Sequence, residues 1–142
     1  MIERTLSLSV DVDRAWHAWT EKIDLWWPPG HRRYRGSTLT LEGRVGGRLV
    51  ERVSGGEEFT MGVVTGWEPT SRLTYDFYPG ASPETPTAVE ICFDAVDGGS
   101  VVRVRHRRGR LSEERWGKTN ATFARSIEAL FESLTEMLSR GG

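Results

Sequence analysis

Cysteine is nearly absent. Cys92 stands alone, which excludes an intrachain disulfide and any multi-cysteine metal site. Charge of one sign is lacking too: 19 Lys and Arg against 20 Asp and Glu leave a net charge of −1. That balance gives no global pull toward nucleic acid or an anionic membrane. Lysine is scarce, with Lys22 and Lys118 the only two, so arginine carries the remaining positive charge. No apolar run approaches the roughly 20 residues that span a bilayer. The N-terminus opens on an alternating segment with no apolar leader. A cytoplasmic protein with no membrane partner is therefore expected. Neither an internal repeat nor a low-complexity linker divides the chain, so a single domain over residues 1–142 is expected, long enough to bury a core.

Catalytic signatures are also missing. There is no Gly-x-Ser-x-Gly elbow. Gly43, Gly46 and Gly47 lack the following Lys-Ser/Thr of a phosphate loop and read as turn glycines. His17, His31 and His106 fall on a helix, a loop and a strand, without a His-x-x-x-His or a cysteine pair beside them. No metal and no other cofactor is expected from such a set. Cys92 shares parity with Glu90 and Asp94, away from the apolar face, where an inert thiol is the simpler reading.

What the chain does have is patterning. In 116–138, Trp116, Phe123, Ile127, Leu130, Leu134 and Leu138 recur at steps of three, four and seven, the spacing of one helix face. Ala124, Phe131 and Met137 widen the stripe. Ser112 is placed to cap this helix, with Glu113 and Glu114 at the positive end of its dipole. Gly117 weakens the first turn, so regular helix is expected only from about Thr119. Gly141 and Gly142 suit a left-handed exit. A lone helix of this kind is marginal in water and needs a wall to press against.

The preceding residues supply that wall. Ile2, Leu6, Leu8 and Val10 alternate with polar residues, as in a strand with one wet face. Asp11 caps a short helix carrying Val12, Ala15, Trp16 and Trp19. Thr20 is expected to cap a second, carrying Ile23, Trp26 and Trp27, which Pro28 and Pro29 end. Residues 30–36 form a polar basic loop. Strands follow at 38–41, 48–53, around 59–67, 73–77, 89–95 and 101–106, with Ser54-Gly55-Gly56 and Asp97-Gly98-Gly99 as hairpin turns. Phe59, Met61, Val63, Thr65 and Trp67 are expected to share one face. The loop 79–86 holds three prolines and is too stiff for a helix. The cationic run from Arg103 to Arg110 alternates with valines as a solvated strand edge does, so no nucleic-acid partner is expected. Hairpin connections make the sheet antiparallel. One apolar sheet face and one long striped helix fit together if the sheet curves around the helix.

This order of elements resembles the helix-grip, START-like (SRPBCC) superfamily. The local wording resembles its branch of activator of Hsp90 ATPase homologue 1-like proteins. The matching stretches are VDVDRAWHAWT at 10–20, WWPP at 26–29, the segment 45–77 and the segment 87–106. Three positions depart from the family pattern. Val12 stands where a proline often follows strand one, Thr70 replaces the second proline of an E-P-P turn, and Arg105 stands where an acidic residue often precedes the histidine. The resemblance implies an α+β helix-grip fold: a curved antiparallel β-sheet wrapped around a long C-terminal helix, with two short helices after strand one. It also implies a cavity between sheet and helix for an apolar small molecule. Some relatives are cyclases and others act on a chaperone.

Within such a cavity, Met61, Tyr75 and Phe77 of the sheet and Phe123 and Ile127 of the helix are the expected apolar contacts. Trp26 and Trp27 are adjacent and cannot both face one core, so one is expected at a cavity mouth or a partner surface. Residues 26–34 are expected to form a mobile lid. Parity turns Glu51 and His106 inward, and Asn120 lies on the line of Trp116, Phe123 and Ile127. These three are the candidate polar anchors, with Glu51 and His106 the one credible proton-transfer pair. A structural hydrogen bond between them, or a bulge that turns Glu51 outward, is the simpler alternative. Binding of a small apolar or amphipathic ligand is the leading reading. A cyclase or hydro-lyase reaction in the same cavity, a protein-interaction role through residues 26–34, and a homodimer stay open.

Overall fold

The computed structural model describes residues 1–79 and 82–141. Gly80 and Ala81, within the expected stiff loop, and Gly142, within the expected helix exit, lie outside the described residues. The chain begins with β1 (Ile2–Leu8), then α1 (Val12–Thr20) and α2 (Ile23–Trp26). Six strands follow: β2 (Thr38–Leu41), β3 (Arg48–Arg52), β4 (Glu58–Glu68), β5 (Arg72–Phe77), β6 (Thr87–Val96) and β7 (Gly99–Arg107). The long helix α3 (Glu113–Ser139) closes the chain. All seven strands pair antiparallel in one curled sheet of order β1-β7-β6-β5-β4-β3-β2. This is the α+β helix-grip arrangement expected from the pattern.

Local chemistry explains most element ends. The Asp11 carboxylate accepts from the Arg14 N–H at 2.9 Å and starts α1. Thr20 does not cap α2: its hydroxyl donates back to the Trp16 carbonyl at 2.8 Å, and Lys22 stands at the start of α2 with no side-chain cap. Ser112 accepts from the Arg115 N–H at 3.2 Å and α3 runs from Glu113 straight through Gly117. The cap and the two first-turn glutamates offset the roughly 1 kcal/mol that a helical glycine costs. At the β4–β5 turn Thr70 has φ 64. A proline ring holds φ near −65°, so this turn requires the departure from the family's second proline.

Two irregularities reset the face of β4. Leu49 faces Gly62 but Val50 faces Thr60, leaving Met61 as an extra residue. Val64 faces Tyr75 but Gly66 faces Thr74, leaving Thr65 extra. Each such bulge shifts side-chain parity by one. Met61 and Val64 are therefore buried while Val63 is half-buried and Thr65 exposed, unlike the simple alternation expected for Val63 and Thr65.

The core fills the concave side. α1 packs on β6 and β7, and α3 on β1 and α2. The convex side is charged. Glu3 (β1), Arg105 (β7), Glu90 (β6) and Arg72 (β5) form a row of ion pairs at 2.5, 3.2 and 2.7 Å. β7 lies between β1 and β6, so Arg103, Arg105 and Arg107 stand on an interior strand and not a sheet edge, and Arg105 pairs with Glu3 and Glu90. Among the described residues no helix is long and apolar enough to cross a membrane.

Candidate functional site

Between the concave face and α3 lies a cavity of about 170 Å³. β4 and β5 contribute Met61, Tyr75 and Phe77, and α3 contributes Phe123 and Ile127. Trp27 and His106 complete the expected residues that border it. Trp19, Val89, Val104 and Leu130 add apolar wall, and His31, Thr122 and Ser126 add polar atoms. The cavity sits under the N-terminal half of α3, where no residue before Ile127 is fully buried.

His106 anchors one wall. Its Nε2 lies 2.7 Å from the Thr87 hydroxyl, and Thr87 is wholly buried. The imidazole is surrounded by rings: Phe123 at 4.6 Å, Trp116 at 5.6 Å and Phe77 at 6.1 Å between centroids. Burial, helped by the nearby N-terminal ammonium, lowers its pKa from 6.5 to about 4. At neutral pH this ring is uncharged. Burial also pushes the His31 imidazole below its ordinary value and the Tyr75 hydroxyl above its own, so both stay neutral. Phe77 and Phe123 stand edge to face at 6.3 Å and 87°.

Three expected site residues lie elsewhere. Glu51 does point inward and is fully buried, but it does not border the cavity. Its carboxylate accepts from the Arg33 N–H at 2.9 Å, the Tyr34 N–H at 2.7 Å and the Ser37 hydroxyl at 2.6 Å. Every one of these partners belongs to the loop before β2, and the His106 ring bonds to Thr87, so the two do not form a proton-transfer pair. Trp26 is 2% exposed, and its indole N–H donates to the Ala18 carbonyl at 2.7 Å. Trp26 and Trp27 are both buried because the helix ends between them: Trp27 has extended backbone, ψ 119, which swings its ring back toward the core. Asn120 folds onto its own helix, donating to the Trp116 carbonyl at 2.8 Å.

The premise of a loosely held lid also fails. Besides the Glu51 clamp, the Arg32 guanidinium bonds the Asp24 carboxylate at 2.6 Å, the Trp27 carbonyl at 2.9 Å and the Ser37 carbonyl at 2.8 Å. Residues 24–37 are thus cross-linked from both sides. Two outer hollows adjoin the cavity, one of about 700 Å³ across Trp27 and one on the β4–β5 side. His31, Met61 and Phe77 border both the cavity and the second hollow, of about 340 Å³. Arg33 stacks over Phe59 at 4.7 Å beside that hollow.

Sequence reasoning missed His31 because a loop residue carries no periodic signal of facing. Thr122 and Ser126 were findable: they flank Phe123 and Ile127 at i, i+4 spacing on the rim of the stripe. Trp19 was read as core, and it is core and wall at once. Among the described residues no cluster of three His, Cys, Asp or Glu is placed to hold a metal ion.

Comparison with known proteins adds a family and a set of folds. The model of the family described as activator of Hsp90 ATPase homolog 1-like protein matches residues 9–139. Protein MLL2253 from Mesorhizobium loti is 18% identical at TM-score 0.71, covering 99% of this chain and 98% of that one. A Rhodobacter sphaeroides protein is 22% identical at TM-score 0.70, covering 97% and 90%. DynU16, a protein in the dynemicin biosynthetic locus, is 18% identical at TM-score 0.72; the match covers 99% of this chain and 47% of DynU16. At these identities the likeness is one of fold. Among curated proteins none matches the chain.

Proposed function

This chain belongs to the family of activator of Hsp90 ATPase homolog 1-like proteins, and on that premise we propose that it binds a small, largely apolar molecule between its sheet and α3. The observation that carries this reading is the cavity itself: about 170 Å³, walled by aromatic and aliphatic side chains, with few polar atoms. A well-packed core leaves few voids larger than a water molecule. Space of this size under a half-buried stretch of helix is the shape that ligand sites take, concave and apolar with a few polar anchors. The occurrence of the fold in a protein of a biosynthetic locus supports small-molecule handling as a use of this scaffold.

Trp27, Met61, Tyr75, Phe77, Phe123 and Ile127 are the ligand's apolar contacts in this reading, and His106 its polar one. In this reading His31, Met61 and Phe77, which the cavity shares with an outer hollow, mark a way in. Native mass spectrometry of the protein purified from cells tests the proposal. The expected result is an added mass that disappears on denaturation. A bare chain, accompanied by a co-purifying chaperone, would overturn it in favour of a protein-interaction role. Turnover of a recovered ligand would add a reaction to the binding.

A further inference from the structure

We propose that the occupant of this cavity is an uncharged single-ring compound carrying a hydroxyl group, of the phenol class, held by His106. This rests on the ligand-binding reading above and narrows it.

Size comes first. A cavity of about 150 Å³ holds one benzene ring, while drug-sized ligands need roughly 300 Å³ or more. The 170 Å³ here fits one substituted ring. Shape points the same way. Phe77 and Phe123 meet at 87°, and the His106 ring lies 4.6 Å from that of Phe123. Such walls offer edges and faces to a planar guest.

Charge comes second. The chain has 39 ionisable Asp, Glu, Lys and Arg residues, 19 basic plus 20 acidic. Among the described residues none of these types borders the cavity. The buried carboxylate of Glu51 is turned to the 33–37 loop. Both histidines that line the space are held toward their neutral form by burial. An ionised guest would lose its hydration with no partner in return, which costs several kcal/mol.

The hydroxyl comes third. Nε2 of His106 is taken by Thr87. Among the described residues the only buried side-chain nitrogen or oxygen that is sealed from solvent and unbonded is Nδ1 of His31. Among the described residues Nδ1 of His106 takes no hydrogen bond, and His106 borders the cavity, so Nδ1 is the ring atom left for a guest. The Thr87 hydroxyl donates to the Phe77 carbonyl at 3.5 Å, so it accepts from Nε2–H and Nδ1 keeps a lone pair. A guest hydroxyl donates to that lone pair, which an ether or carbonyl, having no donor, does not.

The test uses three probes with the same ring: p-cresol, toluene and p-toluate. Each is titrated into the full chain at pH 7, followed by amide and imidazole NMR shifts. The expected order is p-cresol tightest, toluene roughly 3- to 10-fold weaker, and p-toluate without effect on cavity residues. The Nδ1 resonance of His106 should move with p-cresol and not with toluene. In His106→Phe, which keeps a ring in place, p-cresol should fall to the toluene level while toluene still binds. If that variant does not fold, the Nδ1 shift in the unaltered protein decides. Binding of p-toluate as tight as p-cresol would overturn the uncharged assignment. Equal affinity for toluene and p-cresol would overturn the His106 anchor, leaving apolar binding intact. Silence from all three, with a larger molecule recovered from cells, would overturn the single-ring assignment alone. Silence with no recovered molecule would sink the ligand-binding reading as well.

Discussion

Two aromatic clusters occupy the concave face, and they behave differently. In one, Trp16 meets Trp67 at 5.0 Å and Phe93 at 5.2 Å, and Trp19 meets Trp26 at 4.9 Å. α1 and α2 cover it, and the Trp26 indole N–H is spent on a backbone carbonyl. In the other, His106, Phe77, Trp116 and Phe123 gather beside the cavity under the half of α3 that buries nothing fully. Three of its four members are only half-buried. Similar rings thus do two jobs. Where α1 and α2 cover them and Trp16, Trp19 and Trp26 are almost fully buried, they are core. Where they are half-buried beside the cavity, they form the receptor of the function proposed above.

The comparison predicts opposite outcomes for two truncations. Trp16→Ala empties a site that is 4% exposed and should cost about 3–5 kcal/mol of unfolding free energy. Phe123→Ala removes a half-buried ring beside existing empty space and should cost about 1 kcal/mol, while weakening p-cresol binding at least tenfold. Urea unfolding and the NMR titration measure the two effects. Equal destabilisation by both would erase the distinction between core and receptor.

Acid should attack the receptor cluster first. The folded-state pKa of His106 is about 4 against an ordinary 6.5, so the unfolded chain binds its proton more readily. The stability this neutral ring confers is full above pH 6.5 and is lost as pH falls toward 4. The loss is about 2 kcal/mol by pH 5 and about 3 kcal/mol near pH 4. His31, lowered by burial, adds in the same direction. The measurement is unfolding free energy against pH for the unaltered chain and for His106→Phe, whose curve should be flatter between pH 6.5 and 4. Parallel curves would mean that the ring is hydrated when the protein is folded.

How much of this was legible in the sequence differs between the two clusters. Helix periodicity exposed the α3 stripe, strand alternation exposed the antiparallel sheet, and Asp11 and Ser112 marked helix starts. Those signals are local, and the closed cluster is built from them. The same signals placed Phe77, His106 and Phe123 beside the cavity, but the rest of its wall depends on features that alternation and periodicity do not carry. The bulges at Met61 and Thr65 change face in mid-strand, and their one mark is the glycine that follows each, Gly62 and Gly66. His31 reaches the cavity from a loop. Glu51 had the right parity, but its partners are backbone N–H groups 17 and 18 residues away, and no side-chain pattern records them. Parity could say that it faces inward, not what it meets there.

Glu51 also tests on which side of the comparison the 33–37 loop belongs. Its carboxylate receives three donors and does not border the cavity, so these bonds tie the loop to β3. Glu51→Gln keeps the volume and one acceptor oxygen, but it turns an NH₂ group toward a donor that then has no acceptor. A buried donor left unpaired costs about 1–3 kcal/mol, and relaxation of the loop should hold the net loss near 1 kcal/mol. Amide exchange at Arg33 and Tyr34 should quicken about fivefold, in line with that free energy. Affinity for p-cresol should stay within about twofold, because none of the donors released borders the cavity. A large drop in affinity with unchanged stability would show that the clamp positions the cavity wall through His31, which lies two residues before Arg33. The loop would then belong to the receptor and not to the core.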